Sequence, residues 1–122
     1  MINFLLFILA FLLVATLTPI GIVYTIVKSA LTCNLKYVKH YFKDLAISLD
    51  QFGNVAMSGL FNTILIMQVS SNKFGNPDET ISSVLGKNKI RNTLTRAGKL
   101  LDLFLNKLDN NHSINSIEKL WN

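Results

Sequence analysis

The side chains able to do chemistry are few and badly placed for it. Asp78 and Glu79 are the only adjacent acids. Neighbours on a helix point about 100° apart, so the two suit the positive end of a helix dipole better than paired acid–base work. His40 and His112 have no cysteine or carboxylate at metal-ligand spacing. Ser82 and Ser83 lack a nucleophile-elbow context. Gly86-Lys87 has no preceding glycine of a phosphate-cradling loop. Cys33 stands alone, which excludes an intramolecular disulfide and leaves a reduced, inert thiol. No cofactor or metal is expected, and no enzyme.

Two groupings remain. Asp50, Asn54, Ser58 and Asn62 recur every fourth residue, a single polar stripe on one helix, flanked by Gly53 and Gly59. In a membrane that stripe would face another helix or water, with small residues permitting close approach. In a soluble setting it would be the solvent face of an amphipathic helix. Lys87, Lys89, Arg91, Arg96 and Lys99 form a basic run. Two helices around a short turn would present it to nucleic acid as a helix-turn-helix. Anionic headgroups suit the same charges, and a nearby anchor makes lipid the expected partner rather than nucleic acid.

The elements that position these residues begin with an anchor. The chain has 122 residues, 50% hydrophobic and only 16% charged, with a net charge of +5. A typical soluble domain carries about 25% charged residues. Residues 1–27 contain no charged side chain. About 20 apolar residues span a bilayer core, so a transmembrane helix is expected. The run lacks a basic n-region and is about twice the length of a signal-peptide core, so it is expected to stay uncleaved. Pro19 should kink it near Ala15 to Pro19, with Thr16 and Thr18 satisfying the freed carbonyls.

Lys28, Lys36, Lys39 and Lys43 follow with no acid among them. They are expected to meet headgroups, with Tyr24, Tyr37 and Tyr41 as an interfacial belt, and the positive-inside rule puts the carboxyl side in the cytoplasm. Residues 1–30 then read as the anchor and 31–122 as a helical membrane-proximal domain.

Within that domain Phe42, Leu45, Ala46, Leu49, Phe52, Ala56 and Leu60 follow helical spacing. Residues 52–69 carry no charge but hold Asn54, Ser58, Asn62, Thr63 and Gln68, which makes the segment polar for a second span yet unusually apolar for a surface helix, so both placements stay open. A short helix is expected over Pro77 to Leu85, capped by Asn76 with Glu79 completing a capping box, and closed by Gly86 at C′. Leu94, Ala97, Leu101, Phe104, Leu105 and Leu108 mark a helix over about Thr93 to Leu108. Asn115 with Glu118 should cap a terminal turn ending at Trp121. No segment alternates with period two, so the fold class is all-α: one transmembrane helix followed by a compact amphipathic helical domain at the membrane surface.

The stretches DQFGNVAMSGLFNTILI (Asp50 to Ile66), KFGNPDETISSVLGKN (Lys73 to Asn88), TLTRAGKLLDLFLNKLD and NHSINSIE resemble small hydrophobic-start proteins of bacteriophages and prophages in Gram-negative hosts. The resemblance covers roughly Leu45 to Glu118, and FGNPDETISSVLGKN is its most specific part. It implies no catalytic residues, because that protein type carries no assigned activity. It implies a phage life-cycle role at a membrane; the expected location is a host cytoplasmic membrane or a virion internal membrane, with the C-terminal domain placed on the cytoplasm-derived side by the lysines. The expected role is structural, organising a virion membrane or linking it to the capsid. The expected partners are lipids, further copies, or other virion proteins. A holin-like lysis protein is the alternative, for which the Asp50/Asn54/Ser58/Asn62 stripe is the pointer.

Overall fold

The computed structural model describes the backbone of residues 1–121 and the side chains of residues 1–117. The described residues form helices without a strand: α1 (Ile2–Thr32), α2 (Leu35–Ala56), α3 (Ser58–Ile64), α4 (Ile81–Ile90), α5 (Arg96–Leu108) and α6 (His112–Trp121). Two compact units result, Met1–Asp44 and Leu45–Asn122.

In the first unit α1 is 31 residues long, about 46 Å at 1.5 Å per residue. It is long and apolar enough to cross a membrane, and none of its most apolar stretch is buried. Pro19 sits inside it. The Thr16 hydroxyl donates to the carbonyls of Leu12 (2.7 Å) and Leu13 (3.2 Å). Ala15, whose carbonyl the proline leaves without its helical partner, is therefore not the acceptor. Only small polar residues of α1 are buried, Thr25 and Ser29, and Gly21 lies against the Tyr41 hydroxyl. Cys33 ends the helix in the left-handed conformation (φ 51°), and Asn34 starts α2 by accepting from the Tyr37 amide at 3.2 Å. The Ser29 hydroxyl closes the turn on the Asn34 carbonyl at 2.6 Å.

The second unit is built around α4. Ser82, Ser83, Val84, Leu85, Gly86 and Asn88 are all buried, so this helix is enclosed on nearly every side. Small side chains make that enclosure possible. The core is Leu65, Ile66, Phe74, Val84, Leu85 and Leu94, with Phe61, Ile81, Leu101 and Leu105 packed against it. Phe61 and Phe74 meet edge to face, centroids 5.4 Å apart, a favoured aromatic geometry. A single antiparallel bridge, Ile66 to Leu94, ties the segment after α3 to the segment before α5.

The capping residues differ from expectation. Helix α4 starts four residues later than Pro77, with Thr80 as its N-cap accepting from the Ser83 amide at 3.0 Å. Asn76 instead closes a local turn, accepting from the Asp78 amide at 3.0 Å. Proline at residue 77 is equally at home in such a turn, and the side-chain oxygen of an asparagine serves either purpose. Gly86 is not a C′ residue but lies inside α4; the left-handed residue beyond the helix is Asn92 (φ 56°). Helix α5 is capped by Thr95, which accepts from the Gly98 amide at 3.2 Å. Helix α6 begins at His112 rather than at Asn115, and Asn115 donates back to the Asn110 carbonyl at 3.2 Å. The Glu118 side chain lies outside the described residues.

Candidate functional site

The polar stripe has its partners inside the same chain. Asp50 accepts from the Ile81 amide (3.0 Å) through one oxygen and from the Ser82 hydroxyl (2.9 Å) through the other. It thus places a carboxylate at the N-terminus of α4, where the helix dipole favours negative charge. Asn54 is fully buried. It donates to the carbonyls of Asn76 (2.9 Å) and Glu79 (2.8 Å) and accepts from the Gly75 amide (3.0 Å). Asn62 grips Phe74 at both backbone groups, donating to its carbonyl at 3.0 Å and accepting from its amide at 2.7 Å. Ser58 stands where a Cβ on Gly75 would come within 3.3 Å of its own Cβ. Gly75 adopts φ +124°, which an L side chain would strain.

Both readings of the stripe are therefore corrected. Asp50, Asn54, Ser58 and Asn62 form neither a seam for a second helix nor a solvent face. Asn54 and Asn62 clamp the loop between α3 and α4, Asp50 holds the start of α4, and Ser58 lies beside Gly75. The physical reason is backbone satisfaction: that loop has no secondary structure of its own, and buried amides and carbonyls need partners.

The consequence for α2 is an inverted amphipathic helix. Its polar stripe turns inward, and Leu49, Phe52 and Val55 are exposed. The exposure continues through Met57, Leu60, Ile64, Met67 and Val69. Single exposed leucines are ordinary. Exposed apolar residues in this number, on successive elements, exceed the scattered leucines of an ordinary surface.

The basic run is largely consumed. Lys87 pairs with Glu79, and Lys89 with Asp102 at 2.8 Å. Arg91 donates to the Ser71 hydroxyl at 2.7 Å. Arg96 and Lys99 remain exposed on α5. The five do not form one phosphate-binding surface, because three of them hold loops and helix ends together. Lys36, Lys39 and Lys43 are exposed on α2 at the spacing of one helix face. Lys28 lies over the rings of Tyr24 (5.8 Å) and Tyr37 (5.5 Å), an aromatic setting that fits a headgroup-level cation.

Two buried polar hubs escaped the sequence reading. Asn88 is fully buried. Its oxygen accepts from the Ser70 and Thr93 hydroxyls, and its amide donates to the carbonyls of Asn72 (2.9 Å) and Val84 (2.8 Å). Asp102, nearly buried, takes Lys89 of α4, the Ser113 hydroxyl of α6 and Asn106 of its own helix. Their signal in the sequence was weak: Asn88 stands between two lysines, and Asp102 shares its helix with Arg96, Lys99, Asn106 and Lys107, settings in which an exposed polar residue is the usual expectation.

The serine–carboxylate contacts, Ser82 to Asp50 and Ser113 to Asp102, have no histidine in them; His112 pairs with Asp109 at 3.1 Å. Among the described residues no three His, Cys, Asp or Glu side chains converge as metal ligands would. On α2 the polar Asp50 and Asn54 turn in and Leu49, Phe52 and Val55 turn out. No family model matches this chain, and no curated protein or solved structure shows significant similarity to it.

Proposed function

We propose that this chain is a non-enzymatic integral membrane protein of a bacteriophage, a structural component that organises a virion membrane or links it to the capsid. The observation that carries the membrane part is the inversion of α2. A helix whose asparagines are buried and whose Leu49, Phe52 and Val55 are bare has its apolar side free for lipid or for another membrane-embedded helix. The apolar α1 supports the same reading. The phage part is supported by the resemblance of residues 45–118 to phage-encoded proteins of this size and character. The lysine-rich stretch after α1 favours a cytoplasm-derived location for the second unit. The holin-like alternative loses its pointer, since Asn54 and its neighbours are occupied within the chain.

Purified particles test the proposal. The chain should be present in many copies per particle and should be released together with lipid by mild detergent. Its absence from particles, with accumulation in the host membrane at lysis, would replace the structural role with a lytic one.

A further inference from the structure

We infer that α5 is a second membrane-contact element, lying in the plane of an anionic leaflet. The inference rests on the membrane reading above and concerns a surface that reading does not use.

The rotation of α5 is fixed by its inner side. Gly98 lies so close to the chain that a Cβ there would stand 2.2 Å from the Leu65 carbonyl oxygen. Leu101 and Leu105 pack on the core. Asp102, the only acid within Arg96–Leu108, is turned inward and paired with Lys89. What remains outside is a ridge of Ala97, Leu100, Phe104 and Leu108, widened by Leu103. The four large side chains are 68%, 59%, 73% and 59% exposed at Leu100, Phe104, Leu108 and Leu103. Helical spacing puts Arg96 and Lys107 between Leu100 and Leu103, and Lys99 beyond Leu103, and all three bases are exposed. The outer side of α5 thus carries three bases, a phenylalanine and several leucines, and no acid.

That composition is the pattern of an interfacial amphipathic helix. Thirteen residues reach about 20 Å, too short to cross a bilayer core of about 30 Å but sufficient to lie along it. Long basic side chains extend to phosphate while their stems cover apolar surface. A second copy fits less well, because apposed α5 ridges would bring six bases together without an acid among them. Charge complementarity therefore selects lipid phosphate in an anionic leaflet.

The test uses the full chain with Cys33→Ser, reconstituted in vesicles and labelled with an environment-sensitive fluorophore at Phe104→Cys. In mixed phosphatidylglycerol and phosphatidylcholine vesicles, a nitroxide carried on the lipids should quench the label. In phosphatidylcholine alone, or at high salt, quenching should fall away. Each basic side chain near an anionic surface is worth roughly a factor of five. Changing Arg96, Lys99 and Lys107 to glutamine should then lower the docked-to-free ratio by roughly a hundredfold, with unchanged helical circular dichroism. Quenching that ignores both lipid charge and the triple substitution would overturn the inference. So would a label shielded only as the protein-to-lipid ratio rises, which would mean a protein partner. A parallel label at Phe52→Cys separates the two claims: loss of acyl-chain quenching there defeats the membrane reading, whereas loss at residue 104 alone defeats only this one.

Discussion

Asn54→Leu should destabilise the second unit by about 3 kcal/mol or more, the largest effect expected of any single polar substitution here. Leucine shares the branching of asparagine but carries larger methyl groups, so lost hydrogen bonds are joined by crowding at a fully buried position. Two backbone groups lose their partner, the Glu79 carbonyl and the Gly75 amide, and the Asn76 carbonyl is left with the Glu79 amide alone. Each buried group left unsatisfied costs about 1–3 kcal/mol. A domain of this size has a total stability of about 5–15 kcal/mol, so the loss is a large share of it. Denaturation of the full chain in micelles, followed by circular dichroism, measures the shift. Asn62→Leu should behave similarly but less severely, since only the two Phe74 backbone groups are involved. An unchanged midpoint for Asn54→Leu, coupled with weaker crosslinking between copies, would mean that the stripe works between chains after all.

Gly86→Val is expected to detach α6. A Cβ at residue 86 would stand 2.3 Å from the Ser113 carbonyl oxygen and 2.7 Å from its carbon. Backbone does not yield as a flexible side chain does, so α6 must move as a unit. Overpacking of this kind costs about 1–3 kcal/mol, and the displaced α6 would also carry the Ser113 hydroxyl away from Asp102. The cause is close approach, not an unusual backbone angle, because Gly86 lies within a regular helix. Gly59→Ala is the internal comparison. Nothing lies within 4 Å of its added methyl, so alanine there should be neutral or stabilise by about 0.5–1 kcal/mol. Amide hydrogen exchange across residues 112–117 should rise in Gly86→Val and stay unchanged in Gly59→Ala. Equal protection in both would show that α4 and α6 are not in tight contact.

Periodicity made the helices legible. The uncharged run at the amino terminus, the three-and-four spacing of α2 and that of α5 are all visible in the sequence, and so is the lack of strands. Periodicity divides a helix into two faces but does not say which face is inside. For α2 the usual assumption buries Leu49 and Phe52 and exposes Asn54; the reverse holds because the 70–80 loop supplies backbone groups that only amides and carboxylates can satisfy. A clue was present: SSNKFGNPDET is a long irregular segment that must lose water somewhere, and four polar residues at fourfold spacing precede it.

The same ambiguity affected α5. Its stripe is real, yet only Leu101 and Leu105 reach the core, while Phe104 and Leu108 lie outside. Leu94 is buried in the bridge with Ile66, before the helix starts. Capping signals misled for a different reason. Asn76, Pro77 and Glu79 satisfy a helix-start pattern, but Thr80 satisfies it too, and Asp50 supplies its carboxylate to α4 from 31 residues away. A local pattern carries no information about so distant a contribution. Gly86 and Gly98 were likewise open to two meanings, chain reversal or close approach, and the neighbours that decide between them, Ser113 and Leu65, are remote in sequence.

The inverted face of α2 is the claim on which the rest depends, and spin-label accessibility measures it directly. Nitroxides placed singly at Leu49, Phe52 and Val55, with Gln51 for comparison, would be read in the reconstituted full chain carrying Cys33→Ser. Oxygen, which concentrates in lipid, should relax the labels at residues 49, 52 and 55 strongly, while a water-soluble nickel chelate should not. Residue 51, half-buried on the other side, should show the smaller oxygen effect. The account would be contradicted if the nickel chelate reached residues 49, 52 and 55 more readily than oxygen did, because the apolar face of α2 would then stand in water.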